Sequence, residues 1–218
     1  MRFDNIFKWP DTYVNPGSMG FYNYLLFMQC YSQVCALDMI VNGKIVLNDR
    51  EIIFNNGKGY IEKNWGKAFP FSWIWTQANC FGNTTASLSV SIGHIPFITG
   101  SFRGFLIGLM VEQKFYTFTT INKSKIDIVR KELDVYINVN NSEYILDIDI
   151  ITEKDKFMLC MGPRDNEMIP LVEENLKAQV SIILKEKMTG KVIFSGTSPS
   201  SGVEYGGDQM LIMNKTIQ

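Results

Sequence analysis

Histidine is almost missing from this 218-residue chain, where His94 stands alone. The four cysteines are scattered, and the nearest pair, Cys30 and Cys35, is five apart, so no zinc-ligand spacing exists and no metal centre is expected. A Walker pattern is absent, Gly57-x-Gly59 lacks the surroundings of a dinucleotide fingerprint, and no serine sits in a nucleophile elbow. Charge of one sign never accumulates. The formal net charge is -1 with no long basic run, which argues against nucleic acid as a partner. Long apolar runs are lacking too: Phe21–Val41 is apolar on average, but Asn23, Gln29, Ser32, Gln33 and Asp38 interrupt it, so no transmembrane segment is expected. The amino end, MRFDNIFKWPDTYVNPG, has no apolar stretch after its one arginine and does not read as a secretory leader. Without a leader, the sequons at Asn83, Asn122, Asn140 and Asn214 carry no weight, and a cytoplasmic protein is expected.

Helical periodicity is scarce as well. Only Ile169–Lys177 invites a turn or two of helix, with Pro170 at its start and Glu173-Glu174 in its first turns. What fills the chain is alternation with period two. Ala86, Leu88, Val90 and Ile92 alternate with serines; Leu133–Val139, Leu146–Ile150 and Leu176–Leu184 repeat the pattern. Each reads as a strand with one buried face. Phe102–Val111 reads as a fully buried strand whose glycines allow close packing. Turn signals fall between: Asn42-Gly43 as a two-residue hairpin, Asn55-Asn56-Gly57, Asn140–Glu143 and Met188-Thr189-Gly190. With 46% hydrophobic and 20% charged residues a substantial core can form, giving an all-β antiparallel meander that closes into a barrel or sandwich.

The densest information lies in Tyr60–Phe81, YIEKNWGKAFPFSWIWTQANCF, which holds three of the four tryptophans. Indoles supply volume to a fold, but the ionic and amide groups threaded between them each need a partner when buried. Strand geometry puts Tyr60, Glu62 and Asn64 on one face, opposite Ile61, Lys63 and Trp65. It likewise puts Trp73, Trp75, Gln77, Asn79 and Phe81 together, opposite smaller residues. If these two strands pair, the Glu62 and Gln77 faces line one concave surface, a wall for a large apolar ligand with a polar head. A plainer reading stands beside it: tryptophans that anchor a core, a solvated Glu62-Lys63 face, amides that satisfy turns, and a loop histidine at Gly93-His94.

Gly59-Tyr60-Ile61-Glu62-Lys63-Asn64-Trp65-Gly66, Phe69-Pro70 and Trp73-x-Trp75-x-Gln77-x-Asn79 together resemble the signature of the tocopherol cyclase family. Pro16–Gly20 with Phe21–Gln29, then Pro96, Phe102, Glu174 and Val203-Glu204-Tyr205-Gly206-Gly207, extend the likeness over nearly the whole chain. The resemblance implies a lipocalin-like (calycin-type) β-barrel or strongly curved sandwich. Residues 1–20, rich in Pro and Gly, read as an extended lead-in, and with no clear linker beyond them 21–218 reads as a single domain. Family members close a chromanol ring on a prenylated hydroquinone. An acid protonates the alkene nearest the ring, the phenol oxygen captures the tertiary cation, and no metal or redox cofactor is required. A hydrophobic small molecule, a prenylated aromatic or isoprenoid, is the partner this implies.

Roles follow from the chemistry. A carboxyl in an apolar pocket becomes a proton donor, and indole faces stabilise a cation. Glu62 is expected as the acid, with Lys63 as its electrostatic modulator. Trp73 and Trp75 are expected as cation-facing walls, Gln77 and Asn79 as holders of the head group, and Tyr60, Asn64 and Trp65 as further ligand contacts. The likeness also departs from the family. Members carry a long amino-terminal half, of which nothing precedes Met1, and plant members continue with Gly-Pro-Trp where this chain has Asp208-Gln209-Met210. Two other readings therefore stay open. One is a lipocalin-like carrier that binds a prenyl lipid without chemistry. The other is a half-domain completed by a second copy or by a separate amino-terminal-half partner.

Overall fold

The computed structural model describes residues 1–98 and 100–217. A small sheet is formed by β1 (Arg2–Phe7), β2 (Cys30–Leu47) and β3 (Arg50–Gly66), in that order. A large, strongly curved sheet takes β4 (Ser72–Ala78), β5 (Ala86–Phe97), β6 (Gly100–Val111) and β7 (Lys114–Thr119) on one side. On the other it takes β8 (Lys125–Lys131), β9 (Asp134–Asn140), β10 (Tyr144–Ile151), β12 (Glu167–Glu186) and β13 (Val192–Gly207). Their order is β14-β8-β9-β10-β12-β13-β4-β5-β6-β7, where β14 (Lys215–Ile217) is the parallel edge strand and β11 (Phe157–Arg164) pairs with β12 off this path. The rest of the pairing is antiparallel. Helical structure among the described residues is limited to 3-10 turns at Gly20–Tyr24, Lys154–Lys156 and Gln209–Leu211. No helix among them is long and apolar enough to cross a membrane.

The alternating runs do what their period dictates. Leu88, Val90 and Ile92 of β5, Ile137 of β9, Ile148 of β10 and Ile182 of β12 all point to one side and meet in a single core. The large sheet wraps around that core until β7 approaches the far side: Tyr116 packs edge-on against Tyr144 with ring centroids 5.0 Å apart, and Asn141 donates to the Thr117 carbonyl at 3.2 Å. No ladder joins β7 to β8, so the architecture is a strongly curved sandwich and not a closed barrel. The barrel-like interior is filled with side chains. Space for a ligand opens on the sheet's other face.

The small sheet covers that other face. Trp9 is buried over Gly108, edge-on to Phe115 at 5.0 Å, and joins Val34, Leu37 and Met110 in a second apolar cluster. Nearby, Ser87 donates to the Leu37 carbonyl at 2.5 Å. Residues 1–20 thus contribute strand β1 and a buried tryptophan.

Four local readings are corrected. Asn42-Gly43 does not reverse the chain, and neither does Asn55-Asn56-Gly57. They face each other as irregularities inside the long β2–β3 ribbon, with Gly43 at φ +119° and Asn56 at φ +53°. The Asn42 side chain accepts from the Asn56 amide at 2.9 Å. Glycine and asparagine here bend a ribbon. The reversal is made by Asn48-Asp49, both in the left-handed region as a type I′ hairpin demands. Ile169–Lys177 is strand, not helix: Pro170 lies opposite Met161, where β11 shifts register, a place that tolerates a residue without an N–H. Phe81, placed with Trp73 and Trp75 by simple alternation, turns into the main core because β4 ends at Ala78.

The two faces of this sheet should differ sharply in mutational cost. Ile148→Ala, in the core, is expected to lose about 2–5 kcal/mol in a denaturant melt, whereas Ile183→Ala on the half-exposed face loses less than about 1 kcal/mol. Equal losses would contradict the assignment of faces.

Candidate functional site

Away from the Trp9 cluster the two sheets separate around a cavity of about 360 Å³, the size of a small-ligand site. Its roof is β2 and β3, which direct Ser32, Tyr60, Glu62 and Asn64 inward. Its floor is β13, β4, β5 and β6, presenting Glu204, Trp73, Trp75, Ser91, Gly93 and Gly104. The Lys67–Phe71 crossing between the sheets closes one side with Phe69 and Pro70. It is pinned by Gln29 Nε2 on the Phe69 carbonyl (2.8 Å), the Phe69 amide on the Pro163 carbonyl (3.0 Å), and Arg164 on the Pro70 carbonyl (3.2 Å).

Glu62 hangs from the roof and receives four donors. Oε1 accepts from Ser32 Oγ at 2.9 Å and Asn64 Nδ2 at 3.3 Å; Oε2 accepts from Tyr60 OH at 2.5 Å and Trp75 Nε1 at 2.7 Å. All four contacts are with donors, which is the complement of an acceptor-only carboxylate. Ser89 Oγ lies 2.9 Å from Tyr60 OH, so a hydroxyl relay runs from β5 to Glu62. Burial, then the Glu62 charge, push the Tyr60 phenol far up, keeping it a neutral donor. The same two causes raise the Cys30 thiol to about 11, which removes it as a nucleophile.

Glu204 rises from the floor. The Trp75 indole lies over Gly202, and the Trp73 indole lies over Gly206 so closely that a Cβ there would sit 2.1 Å from the ring. Glycine on either side of Glu204 lets both indoles lie flat, and the carboxyl stands between them. Burial raises Glu204 first, the Glu174 charge next and the Glu62 charge after that, while a hydrogen bond from Trp73 opposes them; the balance lifts it from 4.5 to about 7. Glu174 is its direct neighbour across the β12–β13 ladder, and Cys160 donates to Glu174 at 3.3 Å.

The expected residues divide cleanly. Tyr60, Glu62, Asn64, Trp73 and Trp75 share the cavity. They meet across two facing sheets, because β3 pairs with β2 while β4 pairs with β5 and β13; the β3–β4 pairing on which a shared concave face was conditioned does not form. Lys63 and Trp65 point the other way. Lys63 Nζ stands 5.0 Å over the Trp65 ring, which stacks on Tyr31 and is 42% exposed, so Lys63 lies outside the cavity lining. Gln77 lies on the cavity-side face but outside the lining, with Nε2 buried and unpartnered, and Asn79 falls past the end of β4 beside Cys80. Neither amide lines the cavity. His94 pairs with Ser101 Oγ at 2.7 Å, outside the cavity lining. Glu204 was missed as a site residue. Its signal was Gly202-x-Glu204-x-Gly206, an acid with small residues two places away on both sides. Among the described residues no three His, Cys, Asp or Glu side chains converge to hold a metal ion.

A family profile described as "Tocopherol cyclase-like" matches residues 1–207. The chain is 23% identical over 211 residues to "Probable tocopherol cyclase, chloroplastic" of Oryza sativa subsp. japonica, a match covering 93% of this chain and 45% of that protein. It is 23% identical over 199 residues to "Tocopherol cyclase, chloroplastic" of Zea mays, covering 83% and 40%. The chain thus spans less than half the length of these curated relatives. Among solved structures, kievitone hydratase from Nectria haematococca aligns with 82% of this chain and 53% of its own, at a TM-score of 0.47 and 12% identity.

The raised Glu204 carboxyl links stability to pH. The folded state holds this proton more tightly than the unfolded state, so its contribution is complete below about 4.5 and is lost as pH rises through about 7. Unfolding free energy should therefore fall by on the order of 2 kcal/mol between pH 5 and 8, and Glu204→Gln should flatten that slope. Parallel pH profiles for the two proteins would contradict this.

Proposed function

This chain belongs to the tocopherol cyclase-like family, and from that premise we propose that it closes a chromanol ring on a prenylated hydroquinone by acid catalysis. The observation that carries the reading is the cavity itself, which brings carboxyl groups and indole faces together beside apolar walls. The polar end of the ligand lies under Ser32, Glu62 and Asn64, the donor and acceptor groups of the roof. Its isoprenoid tail follows Met19, Met28 and Phe102 outward. From there Phe102, Phe97 and Phe27 form a path of ring contacts at 5.6 and 5.3 Å toward an exposed apolar rim.

In this reading each group has a task derived from its position. Glu62, held in place by four donors, accepts the hydrogen bond of the reacting phenol and takes its proton as the C–O bond forms. Trp75 and Trp73 offer ring faces to the tertiary cation.

The test is to incubate the purified chain with a prenylated hydroquinone. The chromanol is an isomer of equal mass, so it must be separated chromatographically and identified by its fragments. Product is expected from the wild type, with Glu62→Gln reducing it about 100-fold. Quenching of tryptophan fluorescence by the hydroquinone without any product would favour a carrier. Neither quenching nor product would remove both readings.

A further inference from the structure

Two carboxyl groups face this cavity, and their surroundings are opposite in kind. Glu62 is met by donors from Ser32, Asn64, Tyr60 and Trp75. A carboxyl surrounded by donors is matched as an acceptor, and a phenol can join the set by displacing the longest of them, Asn64 at 3.3 Å. Glu204 has one such donor, Trp73, and faces other carboxylates: Glu174 from β12 and, across the cavity, Glu62 from β3. Raised pKa values keep three further groups near the pair neutral: Tyr60 of β3 and Cys30 of β2 beside Glu62, and the Cys160 thiol of β11 on Glu174. Among the groups that shift Glu204 no cation appears. Lys63 is turned outward onto Trp65.

Position agrees with environment. Glu204 lies at the centre of Gly202–Gly206, and both indoles expected to face a cation flank it through their packing on those two glycines. A substrate carbon resting against Trp73 and Trp75 therefore rests against the Glu204 carboxyl. Resting on the proposed cyclase reading, we propose that Glu204, not Glu62, is the proton donor to the alkene, with Glu62 as the acceptor of the phenol proton.

The step balances without a co-reactant. The alkene π pair takes the Glu204 proton and forms a C–H bond, leaving a tertiary cation and a Glu204 carboxylate. A phenol oxygen lone pair then forms the C–O bond, and the phenol proton passes to Glu62. Transfer of that proton from Glu62 back to Glu204, directly or through water in the cavity, restores both groups, and the net reaction is an isomerisation. Because Glu204 must start protonated, turnover belongs below about pH 7 and declines above it.

The experiment compares wild type, Glu204→Gln and Glu204→Asp with a prenylated hydroquinone, together with an infrared titration of the protonated-carboxyl band in the absence of substrate. Glu204→Gln should lose chromanol formation at least about 100-fold. Its affinity, read by tryptophan quenching, should stay within about threefold of wild type. Glu204→Asp, which keeps the acid on a shorter arm, should recover part of the rate and shift its alkaline limb. A wild-type rate and pH profile in Glu204→Gln overturns the assignment while leaving the cyclase reading intact. If wild type forms no chromanol at any pH, the cyclase reading fails and the infrared arm decides alone. A carboxyl band in wild type that fades around pH 7 and is missing from Glu204→Gln sustains a neutral acid poised in the cavity. A spectrum with no such band overturns it. Should Glu204→Gln not fold, the band is read in wild type against Glu204→Asp, whose titration midpoint must move.

Discussion

Two half-buried carboxyl groups face one cavity between the sheets, and that placement sets the demands on everything around them. A buried charge must be paired or hydrogen-bonded, or it takes up a proton instead. Glu62 meets the requirement with donors drawn from three strands, β2, β3 and β4. Glu204, with Trp73 as its donor and carboxylates facing it, meets it by holding a proton to higher pH. The difference between the two groups is a difference in neighbours. It arises because the roof is rich in hydroxyl and amide groups while the floor is built of indole and glycine.

The fold holds roof and floor apart. The core of the large sheet is packed solid on its concave side, so the cavity had to be made on the opposite face by a second sheet. At one end that sheet is clamped by Trp9 over Gly108 and by Ser87 on the Leu37 carbonyl. At the other it is propped open by Phe69 and Pro70, whose backbone is tied to β11 and to Gln29. Irregularities in the β2–β3 ribbon let it curve over the floor. Glycines at 93, 104, 202 and 206 clear the floor.

Much of this was legible in the sequence, because period-two alternation and burial on one face are the same fact seen twice. The strands of the large sheet and the inward set Tyr60, Glu62 and Asn64 follow from it directly. What was not legible is long-range. Alternation says which side chains share a face and not which strand lies beside which, so it leaves open whether two strands adjacent in sequence pair, and these two belong to different sheets. Lys63 was drawn into the site by its proximity in sequence to Glu62, although its own parity puts it outside. Asn42-Gly43 has the composition of a hairpin, yet the same left-handed freedom also serves a bend within a ribbon. Glu204 lies more than a hundred residues from Glu62, and its meaning depends on indoles from a neighbouring strand.

The central claim is that a carboxyl in this cavity delivers a proton to an isoprenoid carbon. It is tested most directly by running the reaction in D₂O and mapping the label in the product. Carboxyl protons exchange with solvent, so the account predicts one non-exchangeable deuterium, on the carbon next to the new C–O-bearing carbon. A chromanol free of carbon-bound deuterium would contradict it.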